Sequence, residues 1–265
     1  MGNFFSRESF EDKLRRPPLC CGGGNQALNW AERIDGYVDA CERSPLNKKA
    51  REGGQYQASV FTQETLVVPL EDAASPWPNG QVVWMDPTAD GGLPHTRPPY
   101  YICLSPQIDL KTDQGRSTLT HERIHVSQRL HQDKWTAIYA EAWDYHQISK
   151  QPTLPKELRE RVRVNPDTHS APTYAWKGEW VAYALFNSTF EPRLTDISIY
   201  WWHIPSKNAY KSAPPGYTAF FGGLSPSAYE HPNELAAYLL TSTTQCPART
   251  ALEKKLGDLP GGETW

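Results

Sequence analysis

The stretch STLTHERIHVSQR, residues 117–129, holds His121, Glu122 and His125 in the order H-E-x-x-H. No other feature so narrows the folds open to the chain. Residues four apart share one face on a helix, so a helix here would aim both imidazoles at a single ion. Glu122, beside the first histidine, does not ligate; it is placed to take a proton from a metal-bound water. A catalytic zinc has three protein ligands and one water. The fold must therefore bring a third ligand to this helix face from elsewhere.

Three glutamates compete for that position. Glu141 follows His125 by 16 residues on the same helical run, which is about 24 Å along a straight helix. It is excluded unless the helix folds back. Glu179, in KGEWVAYALF, stands at the start of a segment that alternates like a strand. Glu234, in EHPNELAAYLL, falls in the first turn of a helix after Pro232, with Ala236 and Ala237 behind it. Small residues there let two helices pack closely, so Glu234 is preferred and Glu179 stays open.

The remaining pattern mixes helices and strands. Apolar residues at helical spacing predict a helix over 27–44, and β-branched runs predict strands at 56–70, 81–86 and 100–105. From Ser117 to Ser149 there is no proline or glycine, which predicts one long helix, or two joined at HQDKW, capped by Ser117 or Thr118. A short charged helix is expected at 155–163, strands at YAWKGEWVAYALF and DISIYWWHI, and a last helix in SAYEHPNELAAYLLTSTT. The division expected is a flexible tail at 1–26, one domain at 27–250 and a C-terminal tail at 251–265.

H-E-x-x-H followed by a glutamate in a helix of N-E-x-x-A type resembles the gluzincin class of zinc metallopeptidases. The segments GGLPHTRPPYYICLS, THERIHVSQR, RVNPDT, YAWKGEWVAYALF and EHPNELAAYLL are also similar to metallopeptidase-like proteins of large DNA viruses of protists and algae. The resemblance covers roughly residues 80–245. It implies an α+β, zincin-like fold: a mixed sheet, an active-site helix carrying the motif and a second helix carrying the third ligand. It implies His121, His125 and Glu234 as zinc ligands, Glu122 as general base, and hydrolysis of a peptide bond in a peptide or protein substrate. The oxyanion donor would be a Tyr or His near the third ligand, with Tyr229, Tyr217 and His231 as candidates. An extended substrate would pair along a strand edge, here YYICLS, with His95 and Arg97 near its end. The chain departs from the class in the long gap between the two helices.

Net charge is −3, which excludes the basic field a nucleic-acid binder needs. Five cysteines at 20, 21, 41, 103 and 246 form no C-x-x-C and fit reduced thiols. The opening MGNFFS matches the pattern for myristoylation of Gly2. One such chain binds a membrane only marginally; the basic KLRRPP and palmitoylation of Cys20 and Cys21 would supply the second signal. The expected location is cytoplasmic, at the cytoplasmic face of a membrane or in a virion. Ten tryptophans point to aromatic cores, with 176, 180, 201 and 202 expected inside. Two other readings compete with the peptidase. One is a catalytically silent, membrane-associated structural or virion protein retaining the fold. The other is a structural metal site that borrows Cys103 or Cys246.

Overall fold

A computed structural model of the chain describes residues 24–52, 66–67, 77–78 and 80–258. The expected acylation segment, with Gly2, Cys20 and Cys21, lies outside the described residues, as does most of the strand expected at 56–70.

The first helical stretch is broken rather than continuous: α1 (Gly24–Asp35) and α2 (Tyr37–Arg43) meet at Gly36, whose φ is 60°. Glycine takes that left-handed conformation without a Cβ penalty, so the chain turns here. Pro45 opens α3 (Pro45–Arg51), the position where a missing N–H costs nothing.

A four-stranded mixed sheet follows, of β1 (Leu66–Val67), β2 (Gln81–Trp84), β3 (His95–Arg97) and β4 (Tyr101–Leu104), in the order β1-β2-β4-β3. β4 runs parallel to β2 and antiparallel to β3. It is therefore an inner strand, not the edge at which a substrate could pair. Its neighbour β3 closes the sheet, and the Thr96 amide there is taken up by Asp167 Oδ1 at 2.6 Å. Arg97 is wholly buried against Asp35 and Glu32, so its role is structural.

The motif helix, α4 (Asp113–Leu130), begins one turn before Ser117. Thr112 caps it, accepting from the amide of Gly115 at 3.0 Å. Gly115 lies within the helix where the carbonyl of Asp109 leaves no room for a side chain; a Cβ would lie 2.0 Å from that oxygen. His131 breaks the run, and α5 (Gln132–Trp143) continues from it. Trp135, Tyr139 and Trp143, spaced by four, make a buried aromatic row with ring centroids 5.6 and 5.5 Å apart. Asp144, at φ 59°, ends α5 and turns the chain into β5.

A second sheet is antiparallel, in the order β5 (Tyr145–Gln147), β6 (Tyr174–Trp176), β7 (Trp180–Phe186), β8 (Ile197–His203), β9 (Asn208–Tyr210). Between β5 and β6 lie α6 (Lys156–Arg159) and a long connection, 160–173. Alternation sorts the side chains: Trp176, Ala184, Phe186, Ile197, Ile199 and Trp201 join the main core, while Val181, Tyr183, Leu185 and Trp202 face a smaller one. Helices α7 (Tyr217–Phe221), α8 (Pro232–Thr241) and α9 (Pro247–Gly257) complete the core. Ala248 and Leu252 of α9 are fully buried, so the packed domain continues past 250 and that boundary falls inside a helix. Among the described residues the chain is thus α+β with two sheets, and no helix is long and apolar enough to cross a membrane.

Candidate metal centre

Helices α4 and α8 pack against each other, and that contact makes the site. Pro232 at the first position of α8 fixes where the helix starts. The His231 side chain accepts the amide of Asn233 at 3.1 Å and caps it. Glu234 then falls in the first turn, facing the histidines of α4. Leu235, Ala236 and Ala237 are fully buried behind it.

The three side chains converge. His121 Nε2 and His125 Nε2 are 3.1 Å apart, and Glu234 Oε2 is 3.6 Å from each. Ligand atoms about 2.1 Å from a tetrahedral zinc are separated by about 3.4 Å. The donor set of two imidazole nitrogens and one carboxylate oxygen therefore suits zinc in both chemistry and spacing. Glu179 is not part of it: it precedes β7 at a turn where Lys177 and Gly178 both have positive φ, and it faces His203 at 3.6 Å with its carboxylate half exposed. Glu141 pairs with Lys255 at 2.7 Å, on the surface. Among the described residues, two groups bring three ligand atoms within 4.8 Å of one another, His121 with His125 and Glu234, and Glu122 with His125 and Asp167; Cys103 and Cys246 belong to neither.

Each ligand is held from behind. Gln128 Oε1 lies 2.7 Å from His125 Nδ1, so that nitrogen carries a proton and Nε2 is the one turned toward His121 and Glu234. The amide of Gln128 donates to the Asn233 carbonyl at 2.9 Å and to the Tyr139 hydroxyl at 3.0 Å, which ties α4 to α8 and α5. Asn165 donates to Glu234 Oε1 at 2.8 Å and also to Glu230. This leaves Glu234 Oε2 for an ion.

Glu122 is 3% exposed, and its Oε2 has no hydrogen-bond partner. Burial, with Asp167 nearby, raises its carboxyl well above the usual range. Burial also opposes charge on His125, but Asp167 and Glu234 outweigh it and push the imidazole up to about 10. Glu234 is buried too, yet His125 and His121 hold its carboxyl well below the ordinary value. His121, Glu122 and Glu234 open onto one cavity of about 610 Å³, whose walls include Asp90, Arg163, Asn165, Asp167 and Tyr238.

The three residues expected to stabilise an oxyanion do not reach this cavity. Tyr217 is buried, with its hydroxyl 2.8 Å from that of Tyr145. The Tyr229 hydroxyl donates to the Gly222 carbonyl and accepts from the Leu224 amide. His231 spends Nδ1 on its cap and places Nε2 3.0 Å from the Pro172 carbonyl. All three have structural roles. Two tyrosines line the cavity, Tyr37 and Tyr238; Tyr238, one turn after Glu234, has its ring edge-to-face on His121 at 4.8 Å. The spacing of four in NELAAY was the available signal, since it places Glu234 and Tyr238 on one helix face. Asp167 and Asn165 were also missed. They lie in a loop, where spacing carries no such information.

Compared with known proteins, the chain matches no family model, no curated protein and no solved structure.

Proposed function

We propose that the chain is a zinc-dependent peptidase of zincin-like architecture, with His121, His125 and Glu234 as metal ligands and Glu122 as general base. The observation that carries this reading is the convergence of three ligand atoms from two helices, at tetrahedral spacing, beside a buried carboxylate oxygen with no partner. When bound, zinc would supply Lewis acidity, polarising a carbonyl and lowering the pKa of a water. Glu122 would act as the base for a water there and as the acid toward a leaving amine. Its burial raises its basicity to suit both tasks. Gln128 keeps the tautomer of His125 fixed, and Asn165 fixes one oxygen of Glu234. Tyr238, on the cavity wall beside His121 with its hydroxyl 3.2 Å from that of Ser227, is the candidate to donate to a developing oxyanion.

The test is elemental analysis of the purified full chain beside His125→Ala and Glu234→Ala. One zinc per chain, lost in both variants, is expected. Zinc retained in Glu234→Ala would remove that ligand, and no zinc after reconstitution of the unaltered chain would overturn the reading.

A further inference from the structure

We infer that the seam between α4 and α8 is the part of the cleft that selects peptide residues with neutral, hydrogen-bonding side chains, those of serine, threonine, asparagine and glutamine, beside the bond cleaved. The inference rests on the peptidase reading of the metal centre and adds the class of side chain that the site accepts.

Gln114, Ser117, Thr118 and His121 fall at spacings of three, four and seven, so they share one face of α4, and all four line the cavity. Glu234, Tyr238 and Thr241, at spacings of four and seven, share one face of α8, and Ser242 ends that helix. The two helices run in opposite senses. Near the end of α4, Gln128 donates to the carbonyl of Asn233 at 2.9 Å; nearer its start, Ser117 donates to the carbonyl of Thr241 at 3.3 Å. The seam therefore leads from the ligands toward the start of α4, about 10 Å from His121 to Gln114. Ser225 and Ser227, at a 3-10 turn (Pro226–Glu230), line the same cavity.

Beyond the three ligands and Glu122, no side chain that α4, α8 or this turn contributes to the cavity is charged, and all but Gln114 and Pro226 carry a hydroxyl. The charged wall residues Arg51, Asp90, Arg163 and Asp167 come from other elements. Helix dipoles add little, because the positive end of α4 lies beside the negative end of α8. The groups are within reach of a ligand: Gln114 and Ser225 are exposed, and Ser117, Thr118, Thr241 and Ser242 are half-buried. Ser117 already donates to Thr241, and Thr241 Oγ1 donates to the Ala237 carbonyl at 2.7 Å. Both oxygens keep lone pairs for a donor on the substrate. A charged side chain laid along the seam loses water and gains no ion partner. An apolar one strips water from the hydroxyls and returns no hydrogen bond. A neutral side chain that both donates and accepts replaces the water it displaces.

The experiment uses blocked hexapeptides of three alanines and three copies of one test residue, threonine, valine, glutamate or lysine. Three extended residues span about 10 Å, the length of the seam. One series carries the test residues on the amino side and the other on the carboxyl side. Cleavage is measured on the unaltered full chain supplied with zinc, and binding by calorimetry on its Glu122→Gln variant. In one series the threonine peptide should be cleaved, by kcat/KM, and bound about tenfold better than its valine, glutamate and lysine twins. Valine keeps the shape of threonine and lacks only the hydroxyl. Thr118→Val combined with Gln114→Leu should abolish the threonine-over-valine ratio. A ratio of kcat/KM between two peptides on one preparation does not depend on how much of the protein is folded.

Equal handling of the four residues in both series, or preference for valine or a charge, overturns the inference on the unaltered chain alone, as does neither binding nor cleavage. A threonine preference that survives the double substitution also overturns it. Cleavage without threonine preference removes the seam's role and leaves the peptidase reading standing. Threonine-selective binding without cleavage by the unaltered chain does the reverse.

Discussion

Gln128 Oε1 lies 2.7 Å from His125 Nδ1, and the same side chain donates to the Asn233 carbonyl next to Glu234. One amide thus sets the tautomer of one proposed ligand and the position of the helix that carries another. Replacing it with an apolar isostere, Gln128→Leu, should weaken zinc binding by about 10- to 100-fold. Competition against a chelator of known affinity measures this. Unchanged affinity would mean that packing alone sets the geometry.

Glu122→Gln should keep zinc and lose turnover. The side chain contributes no ligand atom in the proposed site, and a neutral amide cannot take a proton from water. The expected fall in kcat is about 100- to 10,000-fold, the usual worth of a positioned base. Metal content and peptide hydrolysis on the same preparation decide it; loss of the metal would count against the assigned role.

Gly115→Ala tests the start of α4. The added methyl would meet the Asp109 carbonyl at 2.0 Å, where backbone must move to make room. A loss of about 1–3 kcal/mol in unfolding free energy is expected, as for other forced overpacking. Urea melts read it directly. A neutral substitution would show that the 109–112 turn yields freely.

His231 gives the fold an acid sensitivity apart from the proposed metal ligands. Burial holds its imidazole down to about 4, against an ordinary value near 6.5. Between those values the unfolded chain takes up the proton and the folded chain does not. Its contribution is complete above about pH 6.5 and is lost progressively as pH falls toward 4, up to about 3 kcal/mol in all. His231→Asn, which retains a capping acceptor, should flatten the dependence of denaturation midpoints across that window. An unchanged slope would assign the acid sensitivity to other groups.

Much of the site's frame was legible in the sequence because helices repeat. The spacing of His121 and His125, and the placement of Glu234 just after Pro232, are local facts that survive folding. Glycine at 115 misled the start of α4, because what makes it tolerable there is a carbonyl that helix spacing does not announce. Tyr217, Tyr229 and His231 were chosen for nearness in sequence to Glu234, yet tertiary packing turned all three inward. Asn165 and Asp167 reach the cavity from a loop and Asp90 from a short 3-10 turn, Ala89–Gly92, and only the closing of the chain puts them there. β4 looked like an edge because the three-residue strand β3 is too short to show a period of two.

The α4–α8 junction also has a meaning in time. Glu234 is made 109 residues after His125, and at about 5–20 residues per second that is a wait of about 5–20 s on a ribosome. Until α8 emerges, the histidine pair has no carboxylate from that helix, so a chain cut short within the intervening sheet could not complete the three-residue cluster. The order of synthesis itself delays the proposed hydrolytic capacity until α8 has emerged.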